Sequence, residues 1–152
     1  MSIFVFSKNS DNQTGYLYRI ASSQSVYDAN KNWQDDLYDV IVVNDDDYLA
    51  IKLGNKSVIS KNGSTIFYDE ISTSFNTQDS LTSYIDSVIN LIDNWLINNS
   101  SKSLASSVIT YKNFIKSINV STLITEENPL NSSLEAYVEN QGITAVHPLE
   151  LL

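Results

Sequence analysis

LTSYIDSVINLIDNWLINNSSKSLASSVITYKNFIKSI, residues 81–118, holds two apolar series with one spacing: Leu81, Ile85, Val88, Ile92, Trp95, and then Leu104, Val108, Tyr111, Ile115, Ile118. Both run 4-3-4-3, the period at which a helix keeps one side against another helix. Two seams of equal length, separated by the short polar run Asn98 to Lys102, predict an antiparallel αα-hairpin. Thr77 or Asp79 can cap the first helix, expected to reach about Asn98, and Ser101 or Ser103 can open the second, expected to reach about Ile118. Further apolar positions flank the seams: Tyr84, Ile89, Leu91 and Leu96 on the first helix, Ile109 and Phe114 on the second. That stripe is wider than a two-helix contact fills, so something else must cover it: the N-terminal region, the C-terminal tail or another chain.

On the N-terminal side the pattern changes to period two. Ile3 and Val5 alternate with Phe4 and Phe6, a polar run follows from Ser7 to Gly15, and Tyr16 to Ala21 is again rich in aromatic and β-branched residues, which predicts a β-hairpin. Ser22 to Trp33, with Val26, Ala29 and Trp33 spaced by three and four, predicts a short helix. Val40 to Val43 is an unbroken β-branched run, the pattern of a strand buried on both faces or packed under a helix. Asn44 then offers an N-cap, Asp45, Asp46 and Asp47 complement the positive end of a helix, and Gly54 stops it. Ser57 to Ser60 and Ser64 to Tyr68 flank Lys61-Asn62-Gly63, where Asn-Gly supplies the positive φ angles of a tight hairpin turn.

On the C-terminal side, Asn119 to Asn128 reads as a loop or extended segment closed by Pro129. Ser132-x-x-Glu135 reads as a capping box that opens a helix ended by Gly142. Ile143 to Leu152 is extended and apolar, limited by Pro148 to an edge strand or a docking tail. The expected fold is α+β: a small antiparallel β unit with short helices in residues 1–75, then the hairpin, a third helix and the tail in residues 76–152.

Composition narrows the chemistry. Nine Lys and Arg against eighteen Asp and Glu give a net charge of -9, and the basic residues are scattered singly, so a phosphate backbone would be repelled and nucleic acid is not expected as a partner. Cysteine is absent, which removes thiolate nucleophiles and cysteine-held metals. No stretch reaches the length of a membrane span, and Met1 to Phe6 breaks at Ser7 and Lys8, short of a signal-peptide core. Three consecutive aspartates on a helix point in different directions and do not converge on one cation, while the EF-hand positions counted from Asn44 hold Leu49 and Asn55 where Gly and Glu belong. His147, the one histidine, lies beside Pro148 in the apolar tail with no neighbouring nucleophile. Glu126 and Glu127 are adjacent in a loop and face water rather than a shared substrate. Gly15, Gly54, Gly63 and Gly142 are too far apart for a phosphate cradle and are read as turn or cap residues. No catalytic, cofactor-binding or metal-ligating residue is expected. Trp33 and Trp95 are read as core.

Val40–Val43, Asn44–Gly54, Ser57–Ser60, Asn62-Gly63 and Thr65–Tyr68, in that order and before a helical region, resemble a recurrent unit of accessory proteins of tailed bacteriophages, tail-fibre assembly chaperones among them. Ser133-Leu134-Glu135-Ala136-Tyr137 through Gly142, then His147-Pro148-Leu149-Glu150-Leu151, is similar to the ending of small phage proteins. The Asn, Ile and Lys bias suits an AT-rich phage genome. The resemblance implies a non-enzymatic protein of tail or fibre assembly, either a small virion component or a chaperone that leaves after assembly. Its partners would be phage tail or fibre proteins or a second copy of the chain, met in the host cytoplasm or in the virion. The residues expected to make contact are exposed members of the stripe and tail: Tyr84, Leu91, Leu96, Ile109, Phe114, Val146, Leu149, Leu151 and Leu152. An enzyme would require His147 in a pocket beside a carboxylate.

Overall fold

The computed structural model describes residues 1–9, 11, 13–70 and 74–152. The chain is α+β and divides into two compact units, Met1–Ile71 with Leu149–Leu152, and Ser72–Pro148. The helical unit thus sits in sequence between the body of the sheet unit and its last four residues.

In the sheet unit, β1 (Ser2–Lys8), β2 (Thr14–Ala21), β3 (Tyr38–Val43), β4 (Lys56–Lys61) and β5 (Ser64–Asp69) form one antiparallel sheet in the order β3-β1-β2-β4-β5. Ser10 and Asn12 of the β1–β2 connection lie outside the described residues. Strand alternation sends Ile3 and Val5 to one face, where Ala21, Tyr27 and Leu152 join them, and Phe4 and Phe6 to the other, with Ile20, Val43, Tyr48, Ile51 and Val58. The central strand is therefore buried on both sides. α1 (Gln24–Asn30) supplies Tyr27 to the first face, and α2 (Asp45–Lys52) supplies Tyr48 and Ile51 to the second.

Capping chemistry sets the helix ends. Ser23 Oγ accepts from the Val26 N–H, and Asn44 Oδ1 from the Asp47 N–H at 2.8 Å, with the three aspartates in the first turn of α2. Asn62 (φ 52°) and Gly63 (φ 80°) make the β4–β5 turn, as their sequence requires. Gly15 corrects the turn reading: it lies buried inside β2, where an added Cβ would meet the Ser7 carbonyl oxygen at 2.6 Å and the side chain of Ser60. Between the pairs Val5–Arg19 and Phe6–Leu17, β2 carries one extra residue, Tyr18.

Of the two readings of the Val40–Val43 run, packing under a helix is the one that holds: Ile41 and Val43 cluster with Tyr48 and Ile51 of α2. The strand is not buried on both faces, since Val40 is only partly covered on the α1 side and Val42, on a strand at the edge of the sheet, is 52% exposed.

In the helical unit, α3 (Gln78–Asn99) starts at Thr77, whose hydroxyl accepts from the Ser80 N–H, and packs against α4 (Ala105–Lys116). Lys112 pairs with Asp93, residues at similar distances from the connecting turn, as antiparallel packing requires. α4 begins at Leu104 with no side-chain cap, later than Ser101 or Ser103, because Lys102 and Ala105 N–H groups close tight turns onto Asn99 and Lys102 carbonyls. The stretch read as a loop contains a single helical turn, α5 (Val120–Leu123). α6 (Leu134–Asn140) is capped by Ser133, one residue after the expected box, and ends at Gly142 (φ 82°).

Candidate interaction surfaces

The seams of α3 and α4 are filled within the unit: Leu81, Ile85, Val88 and Ile92 on one, Val108, Tyr111 and Ile115 on the other are buried. At about 100° per residue, Leu91 lies on one flank of the α3 seam, Leu96 on the other, and Ile97 nearly opposite it. Exposure follows that geometry, with Leu91 at 48% and Ile97 at 74%. On α4, Ile109 is 43% exposed and Phe114 is half-buried. Leu96 is half-buried. The expected contact residues of the hairpin are therefore spread around the helix pair rather than gathered in one patch. A groove with a cavity volume of about 270 Å³ is lined by Ile89, Ile115, Ile118 and Val120 together with Asp86 and Lys116, and by none of those contact residues.

Tyr84 is turned to an internal task. Its hydroxyl donates to Glu135 Oε1 at 2.7 Å, and its ring lies 5.5 Å from that of Phe75, which pairs through its backbone with Leu130. Burial, then the charge of Glu135, raises the Tyr84 hydroxyl well above the ordinary phenol range. Glu135 is itself buried, and one oxygen of the acid expected to complete a capping box takes this cross-helix bond.

The tail residues correct the expectation of an exposed docking segment. Val146, Leu151 and Leu152 are buried. Leu149 packs with the Phe4–Phe6 face of the sheet and Leu152 with the Ile3–Val5 face. Arg19 Nε on β2 donates to the Leu151 carbonyl at 3.0 Å. To reach both faces the tail must round a sheet strand, and β2 offers the place, since β4 pairs only with its first residues, Thr14 to Tyr16.

Glu150 is the residue that sequence reasoning missed. Its carboxylate accepts from the Tyr48 hydroxyl and faces Lys52 Nζ at 3.9 Å, with the two side chains only 10% and 5% exposed. Lys52 Nζ also lies 5.6 Å above the Tyr48 ring. A glutamate between Leu149 and Leu151, and a lysine four residues after Tyr48, were the available signals; neither says that the two charges meet. The arrangement sets opposite charges together in a buried place and ties the tail to α2.

Beside β3, the Tyr27 hydroxyl donates to Asp35 Oδ1 at 2.5 Å and Lys31 Nζ reaches Asp35 Oδ2 at 2.7 Å. Lys31, then Tyr27, holds the Asp35 carboxyl below its ordinary range, while burial, then Asp35, pushes the Tyr27 hydroxyl up. Tyr18 and Tyr38 stack at 4.9 Å with the Trp33 ring edge against Tyr18. This cluster fixes where β3 begins. Asp45, first of the aspartate triplet, faces the Met1 ammonium at 3.5 Å and accepts from the Ser2 hydroxyl. His147 is half-buried.

No helix among the described residues is long and apolar enough to cross a membrane, and none of their acidic and histidine side chains gather in threes around a space for a metal. No family model, curated protein or solved structure matches the chain.

Proposed function

We propose that this chain is a non-enzymatic protein-binding component of a tailed phage, a small tail- or fibre-associated virion protein. The observation that supports protein binding is the surface of the helix pair: with the seam already filled, Leu91, Ile97 and Ile109 remain exposed outside it. Single exposed apolar residues are ordinary on any surface; several around one helix pair suit contact with more than one neighbour, as in an assembly. The phage setting rests on the order of elements from Val40 to Tyr68 and on the chain's ending. The acidic charge favours partners with basic contact surfaces.

The test is immunodetection and quantitative mass spectrometry of purified particles of the encoding phage, with wild-type protein and the Leu91→Asp/Ile109→Asp double variant. Incorporation at a copy number set by tail or fibre symmetry, lost in a double variant whose thermal unfolding is unchanged, is the expected result. Absence from particles together with a stable complex with unassembled fibre subunits would transfer the reading to an assembly chaperone. Undiminished incorporation of the double variant removes this surface from the contact.

A further inference from the structure

We infer that the outer edge of β3 is a strand-addition site for an extended basic segment of another protein, with Lys or Arg at both ends and apolar residues alternating between them. This surface is separate from the helical one and does not depend on the phage reading. Among the described residues, β3 pairs with β1 alone, through Ser2–Val43 to Ser7–Tyr38; the Tyr38 N–H donates to the Asp35 carbonyl, and no further backbone bond outside that pairing engages the strand. An edge like this is normally blunted by lysine, proline, a bulge or short length. Tyr38-Asp39-Val40-Ile41-Val42-Val43 has six residues in regular register, four β-branched in succession, and neither lysine nor proline.

Charge selects the occupant. Asp35, Asp36 and Asp39 stand at the start of the strand and Asp45, Asp46 and Asp47 just beyond its end. Against these six carboxylates stand Lys31 at Asp35, Lys8 at 3.9 Å from Asp39, and the Met1 ammonium at Asp45, so Asp36, Asp46 and Asp47 keep the rim acidic. A second copy of the chain fits poorly. Antiparallel addition in full register, Tyr38 opposite Val43, brings the aspartates at the start of one strand to those at the end of the other, and parallel addition sets each cluster beside itself. A basic segment meets attraction at both ends instead. On the α1 side of the sheet, Val42 is half exposed past Val40, and an apolar residue of the incoming strand would cover it.

The test uses fluorescein-labelled KKTVTVTVKK in an anisotropy titration against the full chain. Controls are EETVTVTVEE and two forms of the basic peptide, N-methylated at alternate residues along one edge or the other. The basic peptide is expected to bind at least tenfold more tightly than the acidic one and to weaken as salt rises. One methylated form should lose at least tenfold and the other should bind like the parent, since only one edge of an added strand bonds β3. Val42→Lys should lower affinity about tenfold while its thermal unfolding stays at the wild-type value. Equal binding of the acidic peptide, equal binding of both methylated forms, or loss of both equally would overturn the inference. Light scattering adds an arm: a concentration-dependent dimer that Val42→Lys dissolves would give the edge to a second copy and overturn the basic occupant.

Discussion

The two units of this chain close their cores in opposite ways. The seam of the helical unit is built from residues 81–118, neighbours along one continuous stretch, whereas the sheet unit is closed by Leu149–Leu152, roughly a hundred positions beyond α2. A core made from local sequence can be read from its period and disrupted one residue at a time. A core closed from a distance has a single point of failure. Removing Leu149–Leu152 deletes Leu152 from one face, Leu149 from the other and the partner of two buried polar groups at once. The expected loss exceeds about 5 kcal/mol, enough to unfold a unit of this size. Hydrogen exchange should show β1 amides losing their protection while those in the middle of α3 keep theirs; protection retained in β1 would break the comparison.

Lys52→Met asks whether the distant closure is mainly ionic. It leaves Glu150 buried with its Tyr48 bond but without Lys52 as its counter-charge, and should cost about 3–5 kcal/mol. Adding Glu150→Gln keeps an acceptor for the Tyr48 hydroxyl and removes the charge that Lys52 faced, so most of that loss should return. Urea denaturation of the single and double variants measures it, and a double variant no more stable than the single would mean that the loss comes from the other contacts of Lys52 and not from the charge left on Glu150. In the helical unit, Ile92→Ala should cost about 2–5 kcal/mol by leaving a cavity in the seam, with β1 exchange unchanged. Tyr84→Phe, which takes one donor from buried Glu135, should cost about 1–3 kcal/mol in the same unit.

The same contrast explains what could be read in the sequence. The seams, the Asn44 cap, the Asn62-Gly63 turn and the alternation of Ile3 to Phe6 are each written within a few residues, and each takes its expected form. Ser132 and Glu135 mislead because a box pattern and a cross-helix acid look alike until Tyr84, 51 residues earlier, is placed beside Glu135. The Val40–Val43 run fits either a strand buried on both faces or one packed under a helix, and α2 makes it the second; that β3 is the edge lies in strand order, which local pattern does not encode. The tail was legible as apolar and as a docking segment. That it docks on its own chain, with Glu150 opposite Lys52, depends on a separation of 98 residues that no period spans. Of the contact residues expected from the stripe, Leu91 and Ile109 are exposed, while Tyr84 and the tail serve the interior.

The smallest expected effect lies at the surface, where a local ion pair joins a buried tyrosine to the start of β3. Asp35 accepts from Tyr27 and Lys31, and its carboxyl is held below the ordinary range in the folded chain. A folded value below the unfolded one makes the contribution complete above the unfolded value, near pH 4, and removes it as pH falls through the folded value. Because the Asp35 side chain is 46% exposed and screened by water, the contribution should stay at or below about 1 kcal/mol. Asp35→Asn should therefore lower the melting temperature slightly at pH 7, and the difference from wild type should shrink as pH falls below about 4, which flattens the acid limb of the stability profile. A loss that stays the same as pH falls would show that the side chain acts through shape and hydrogen bonding at the head of β3, and that its charge takes no part in holding the edge in place.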